Sequence, residues 1–259
     1  MSAQENNQEP ILRVEHLSMR FGGLVAVDDV TLSLTPQTVH AVIGPNGAGK
    51  STLINLLSGD LSPSTGTIRL GALDITHWPS HRIAQHGVAR SFQHTNVFAA
   101  FSAFENCRLA AQSHHRNFNR WFKPAERYAD WNAAAAAALA IVGLAGRSAI
   151  AAAALSHGER RALEIAMALA THPAVLLLDE PLAGMGPEES KHIVALLERL
   201  AADHAILLVE HDMDAVFALA HQLTVMVNGR VLASGPPEAI RANADVQRAY
   251  LGTEAVSAL

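Results

Sequence analysis

Gly44-Pro45-Asn46-Gly47-Ala48-Gly49-Lys50-Ser51-Thr52 decides the fold, because its glycines, lysine and hydroxyls stand at the spacing of a complete phosphate-binding loop. The five residues before it, Val39-His40-Ala41-Val42-Ile43, are apolar and β-branched enough for a buried strand. After it, residues 51–58 carry Leu53, Ile54, Leu56 and Leu57 on one helical face. Strand, glycine loop and helix form the setting that the motif requires. Gly44, Gly47 and Gly49 let the backbone turn without a Cβ, so that successive N–H groups point at phosphate oxygens. The helix starting near Gly49 adds the positive end of its dipole. Lys50 supplies a point charge for terminal phosphates, and the Ser51 hydroxyl can take a place on a magnesium ion that bridges them.

On either side of this loop, strand-type and helix-type segments alternate. Residues 11–21 and 25–34 read as strands around Gly22-Gly23, an antiparallel sheet at the front of the molecule. Residues 67–70, ending at Gly71, and 88–92 are further strands, while 79–86 is helical and Gly87 stops it. That last strand ends at Gln93. From Thr95 to about Ala154 alanine dominates, charges and aromatics cluster near Arg116 to Tyr128, and no strand pattern survives; this is an inserted helical lobe. The alanine run at 133–138 has high helix propensity and is no linker. Strands at 175–178 and 206–209 then follow helices at 160–170 and 188–200, which implies a parallel sheet with helices on its faces, an α/β fold. Residues 223–227 and 230–234 flank Asn228-Gly229, a hairpin signal, and short helices near 237–241 and 245–251 finish the chain.

Composition sets limits on function. The 259 residues are 49% hydrophobic, which suits a globular core. Nineteen basic against 24 acidic residues leave a formal charge of −5, which gives no electrostatic reason to expect nucleic acid as a partner. Cys107 is the only cysteine, so the chain has no internal disulfide and suits a reducing compartment. Residues 1–10 are polar and acidic, and read as a loose tail without a secretion signal. No apolar run reaches the roughly 18 residues of a membrane span, so any membrane role is expected to run through a partner.

Three more stretches carry chemistry. Val175-Leu176-Leu177-Leu178-Asp179-Glu180 is an apolar strand ending in two carboxylates, and ligands in parallel sheets collect at such strand ends. Asp179 would lie beside the phosphate loop and hold magnesium, directly or through water, while Glu180 can polarise an attacking water. Ile206-Leu207-Leu208-Val209-Glu210-His211-Asp212 is a second buried strand, from whose end His211 can reach a terminal phosphate. In Leu155-Ser156-His157-Gly158-Glu159, Ser156 and Glu159 fit a capping box, and a helix N-terminus with Ser and Gly also suits an anion. Since one nucleotide already has its own loop, that second anion site suggests two chains facing each other. Phe21, at a strand end, is either an ordinary hydrophobic residue or a ring that stacks on a base.

Taken in this order, the pieces resemble the nucleotide-binding subunit of ATP-binding-cassette (ABC) transporters from about Ile11 to Gly252. The resemblance implies a P-loop NTPase ABC ATPase core with a parallel sheet, an N-terminal antiparallel β subdomain and an inserted helical subdomain. It implies one ATPase domain at 11–252, its core at about 11–92 and 160–252 and its helical subdomain at about 93–159, between tails at 1–10 and 253–259. ATP and Mg2+ are the implied cofactors. The ATP-binding residues would be Phe21, Gly44, Pro45, Asn46, Gly47, Ala48, Gly49, Lys50, Ser51, Thr52 and Gln93; Ser51, Gln93 and Asp179 would serve the metal, and Glu180 and His211 catalysis. Ser156, His157, Gly158 and Glu159 would meet ATP held by the opposite subunit.

A narrower resemblance lies in Arg20-Phe21-Gly22-Gly23-Leu24, Arg90-Ser91-Phe92-Gln93, Arg161-Ala162-Leu163-Glu164-Ile165-Ala166, Glu210-His211-Asp212-Met213 and Ala249-Tyr250-Leu251-Gly252. These look like the ATPases of high-affinity branched-chain amino-acid importers; related ATPases serve urea uptake and lipopolysaccharide export. Implied partners are integral-membrane permease subunits, a second ATPase subunit of the same or a related kind, and, indirectly, a periplasmic or extracellular binding protein, with the chain peripheral on the cytoplasmic face of the membrane. The apolar stretch Val97, Phe98, Phe101 and Phe104 is expected either to receive a permease helix or to pack inside the lobe.

Two departures stand out. His157 stands where the family commonly has Gly, or Tyr within the branched-chain group, Glu159 where it commonly has Gln, and Gly186 where it usually has Asp or Asn. A carboxylate at 159, unless it points away, would weaken a closed state around phosphate. Rival readings are a regulatory subunit that hardly hydrolyses ATP, and a soluble ATPase of the same superfamily without a permease.

Overall fold

A computed structural model of the chain describes residues 9–91, 96–113 and 124–248. In chain order the elements are β1 (Leu12–Phe21), β2 (Leu24–Leu34), β3 (Val39–Ile43), α1 (Lys50–Leu57), β4 (Thr65–Leu70), β5 (Leu73–Asp74), α2 (Ser80–Gln85) and β6 (Val88–Arg90). Then come α3 (Ala103–Ser113), α4 (Ala129–Ile141), α5 (His157–Leu169), β7 (Val175–Asp179), α6 (Pro187–Ala201) and β8 (Ala205–Val209). The chain continues through α7 (Met213–Leu219), β9 (Gln222–Val227), β10 (Arg230–Gly235), α8 (Pro237–Arg241) and α9 (Ala244–Val246).

The strands form two sheets. One is antiparallel, in the order β2-β1-β4-β5, as expected at the front of the molecule. The other runs β10-β9-β3-β8-β7-β6 and is parallel except for its β9–β10 hairpin. Every residue of β3, β7 and β8 is buried, which is why they read as unbroken apolar runs. Alternate side chains serve different cores. Leu176, Leu178, Ile206 and Leu208 face one that includes α3, α4 and α5; Leu177, Leu207 and Val209 face another shared with α1 and the antiparallel sheet.

The helical lobe is present as expected, and its alanines explain its packing. Ala135 and Ala138 of α4 and Ala103 and Ala111 of α3 are buried, and such small side chains let the helices approach closely. The β9–β10 turn has Asn228 and Gly229 at φ 49° and 81°, the geometry that an Asn-Gly pair favours. Four boundaries differ from expectation by two residues or more. Strand β6 ends at Arg90 rather than 92, β4 starts two residues early, and α5 starts at His157 because Ser156 caps it. Helix α9 ends at Val246, short of the 245–251 expected, of which 249–251 lie outside the described residues. Helix α7 was not anticipated from the sequence, although Asp212 signals it: its carboxylate accepts from the Ala215 N–H at 3.1 Å.

One buried polar group in this fold has a measurable pH signature. His40 on β3 is 3% exposed, its Nε2 lies 2.8 Å from Thr224 Oγ1, and burial pushes its pKa from 6.5 to about 4. Folding therefore favours the neutral ring: this stabilisation is complete above pH 6.5 and is lost as pH falls through about 4. It amounts to about 3 kcal/mol. His40→Gln, which keeps a polar side chain but cannot titrate, is expected to flatten the urea-midpoint decline across that window. An unchanged slope would place the acid sensitivity elsewhere.

Candidate functional site

Register brings the predicted residues together. Val42 of β3 and Asp179 of β7 both pair with Val209 of β8, so the three strands end level. The loop at Gly44, the carboxylate of Glu180 and the Glu210-His211 pair thus leave the same carboxyl edge of the sheet. At about 4.8 Å per strand, β3 and β7 stand about 10 Å apart across β8. A ligand held by one strand end is within side-chain reach of the others.

The phosphate loop is shaped by its neighbours as well as by its own glycines. A Cβ on Gly44 would lie 2.1 Å from the Met226 carbonyl oxygen, and one on Gly49 2.3 Å from that of Ala26. Gly47 faces open space and is required for its φ of 80°. The β9–β10 hairpin backs the loop: the Gly229 N–H donates to the Ala48 carbonyl at 3.0 Å, and the Asp28 N–H to the Gly229 carbonyl at 2.8 Å. Gly49 caps α1, and no side chain competes for the first N–H groups of that helix. Lys50 is buried, and its Nζ donates to the Gly44 and Pro45 carbonyls at 2.6 and 3.0 Å. Burial lowers its pKa, against the pull of the Glu180 and Asp179 carboxylates.

Asp179 is 1% exposed, and its Oδ1 has no hydrogen-bond partner. Arg90 stands 3.7 Å from its Oδ2; burial raises its pKa, and Arg90 opposes that. A buried, unpartnered carboxylate oxygen next to a phosphate loop suits a divalent cation or one of its waters. Among the described residues no cluster of three or more His, Cys, Asp or Glu could hold a metal alone. That fits magnesium, which takes one or two protein ligands and completes its shell with phosphates and water. Glu180 follows at φ 49°, a left-handed conformation that costs a residue with a side chain on the order of 1–3 kcal/mol and concentrates at functional positions. Its N–H donates to Val209 O at 2.8 Å, tying it to the neighbouring strand end.

Sequence reading missed Glu210. Its carboxylate is buried and accepts from the Leu182 N–H at 2.8 Å and the His211 N–H at 3.1 Å, joining the loop after Glu180 to His211. The available signal was its place: it follows an apolar strand just as Glu180 does. His211 itself is exposed at this edge.

The segment at 155–159 forms the expected capping box. Ser156 Oγ accepts from the Glu159 N–H at 3.2 Å, and Glu159 Oε2 accepts from the Ser156 N–H at 2.8 Å. Arg147 lies 3.3 Å from the same carboxylate oxygen. Glu159 is thus turned back on its own cap. His157 Nε2 lies 3.1 Å from Ala183 O, and the Gly158 N–H donates to Glu189 at 3.3 Å. Gly186 caps α6 without a side-chain bond. Phe21 ends β1 with its ring exposed, and Gln93 lies outside the described residues. The apolar stretch after it divides: Val97 and Phe104 pack on the core, whereas Phe98 and Phe101 are 53% and 43% exposed, with ring centroids 5.4 Å apart. Asn106 pins their loop, accepting from the Phe98 N–H at 2.8 Å and donating to Phe98 O at 3.1 Å.

The family profile described as "ABC transporter" matches residues 27–183, and one described as "Branched-chain amino acid ATP-binding cassette transporter" matches 230–256. The chain is 44% identical over 251 residues to the "High-affinity branched-chain amino acid transport ATP-binding protein BraF" of Pseudomonas aeruginosa, spanning 94% of this chain and 98% of that one. It is 42% identical, with the same coverage, to the corresponding protein LivG of Escherichia coli K12. Among solved structures, a nucleotide-free ATP-binding cassette from an ABC transporter superimposes with a TM-score of 0.84 at 28% identity, covering 93% of this chain and 98% of that chain. An ATP-binding cassette in its ADP conformation gives 0.83 at 29% identity, covering 95% and 100%.

Proposed function

The chain belongs to the ABC transporter family, and on that premise we propose that it binds and hydrolyses ATP as the engine of a membrane importer of branched-chain or related amino acids. The observation that carries this reading is the level convergence of three strand ends, which sets the phosphate loop, an unpartnered buried carboxylate oxygen and Glu180 on one edge.

In this reading the N–H groups of residues 44–52 and the Lys50 ammonium hold the phosphates, and Phe21 stacks on adenine. Ser51, Asp179 and Gln93 hold magnesium, which when bound neutralises charge on the transferred phosphoryl group. Glu180 orients water for in-line attack and takes its proton, and His211 contacts the γ-phosphate. Ser156, His157, Gly158 and Glu159 face ATP held by a second ATPase subunit, so that closure completes the site. Glu159 does not oppose that closure, because its carboxylate is engaged by the Ser156 N–H and Arg147. This supports the hydrolysing reading over the weakly hydrolysing one.

The cargo rests on the relatives, whose names specify branched-chain amino-acid transport. No helix among the described residues is long and apolar enough to cross a membrane, so permease subunits would supply the path and anchor the chain at the cytoplasmic face. Phe98 and Phe101 border the lobe as an exposed apolar pair and would receive a permease helix. Phe98→Asp is expected to leave hydrolysis by the isolated subunit unchanged and to weaken permease association by roughly 30-fold. Undiminished association would move the docking surface elsewhere. The whole assignment is tested by purifying tagged protein from gently solubilised membranes and identifying its partners by mass spectrometry. Multi-spanning chains with a second small ATPase are expected; soluble partners or RNA alone would remove the transporter.

A further inference from the structure

Arg161 and Glu164, one turn apart on α5, form an ion pair at 2.7 Å with each side chain only 5% exposed. Apolar residues of similar volume usually stabilise such a place as well or better, so a buried pair calls for another reason. Its remaining bonds supply one. Glu164 Oε1 accepts from the Asn96 N–H at 2.7 Å, three residues beyond Gln93. On the other side, Arg161 Nη2 donates to the Glu180 carbonyl at 3.0 Å.

We propose that the Arg161–Glu164 pair is a positioning device that transmits the placement of the Asn96 backbone to the backbone of Glu180. The inference rests on the assignment of Glu180 as the carboxylate that orients water. Glu180 holds a left-handed φ that its surroundings must enforce. Three bonds do so: the Arg161 guanidinium and the Ala183 N–H on its carbonyl, and its own N–H on Val209 O. A shift of the Asn96 segment pulls on Glu164, then on Arg161, and turns the peptide carrying the carboxylate. Sub-ångström shifts suffice, since misplacing a reacting group by about 1 Å can cost 10²-fold in rate.

The test replaces both charges in the full chain, Arg161→Met with Glu164→Leu, which leaves no unpaired ion. The expected result is an unchanged melting temperature, unchanged ATP affinity and KM, and a kcat lower by about tenfold or more. A merely structural pair would move the melting temperature and spare kcat. Wild-type kcat in the folded double variant, or a loss confined to KM, overturns the proposal. Glu164→Gln, which keeps the shape but whose single amide oxygen can accept from only one of the Asn96 N–H and the Arg161 guanidinium, breaks the relay and decides the matter if the double variant does not fold. A reduced kcat at unchanged affinity supports positioning, and an unchanged kcat overturns it. Failure of the wild-type chain to hydrolyse ATP when assembled with its second ATPase subunit would overturn the hydrolytic reading itself, and the proposal with it.

Discussion

Glu180→Gln is expected to bind ATP as tightly as the wild type and to hydrolyse it roughly 10²- to 10⁴-fold more slowly. The amide has the shape of the carboxylate and leaves in place the backbone bonds to Val209, Ala183 and Arg161. What it removes is the capacity to accept a proton from water at the moment of attack. Phosphate binding should not suffer, because the loop, Lys50 and Asp179 are untouched. If anything the nucleotide is held longer, since one negative charge near its phosphates is gone. Nucleotide affinity and single-turnover hydrolysis, measured on the same preparation, separate the two effects. Hydrolysis near the wild-type rate would take the role away from Glu180.

Gly49→Ala is expected to abolish measurable ATP binding, while Gly47→Ala weakens it by about tenfold. Both positions have positive φ, 100° and 80°, a conformation that costs a residue with a Cβ about 1–2 kcal/mol. They differ in what the new methyl meets. At Gly47 nothing lies within 4 Å, so strain is the whole cost. At Gly49 the methyl would lie 2.3 Å from the Ala26 carbonyl oxygen of β2, whose neighbours Val25 and Val27 are both paired with β1. The loop must move instead, and its N–H groups lose their aim. Calorimetric titration with ATP reads the contrast, and equal losses in the two variants would show that packing against β2 does not shape the loop.

These two glycines mark the boundary of what was legible in the sequence. Their number and spacing announced a phosphate loop, and the apolar runs before Asp179 and Glu210 announced buried parallel strands. The capping box at Ser156 and Glu159 and the hairpin at Asn228-Gly229 were equally plain, because each is a contact between residues a few positions apart. The short helix after Asp212 was passed over, although the same capping chemistry signals it. Glu210, Arg90 and the Arg161–Glu164 pair were illegible as parts of a site. Their partners lie far along the chain: Leu182 for Glu210, Asp179 and Asp60 for Arg90, and Asn96 and Glu180 for the pair.

Glu159 shows the same division within one residue. Read as one letter in a signature, it stood as a carboxylate facing phosphate; in the fold, the Ser156 N–H and Arg147 hold it on its own helix cap. Phe98 and Phe104 show it between neighbours, since composition made them alike and packing exposed one and half-buried the other. Local interactions are written in short spacings, so the sequence alone determined the loop, the strands and the caps, and with them the class of chemistry. Register between strands, burial of charge and the approach of one backbone to another arise only when distant segments meet. Those decided which carboxylate is left without a partner, what holds Glu180 in place, and why Gly44 and Gly49 have no room for a side chain.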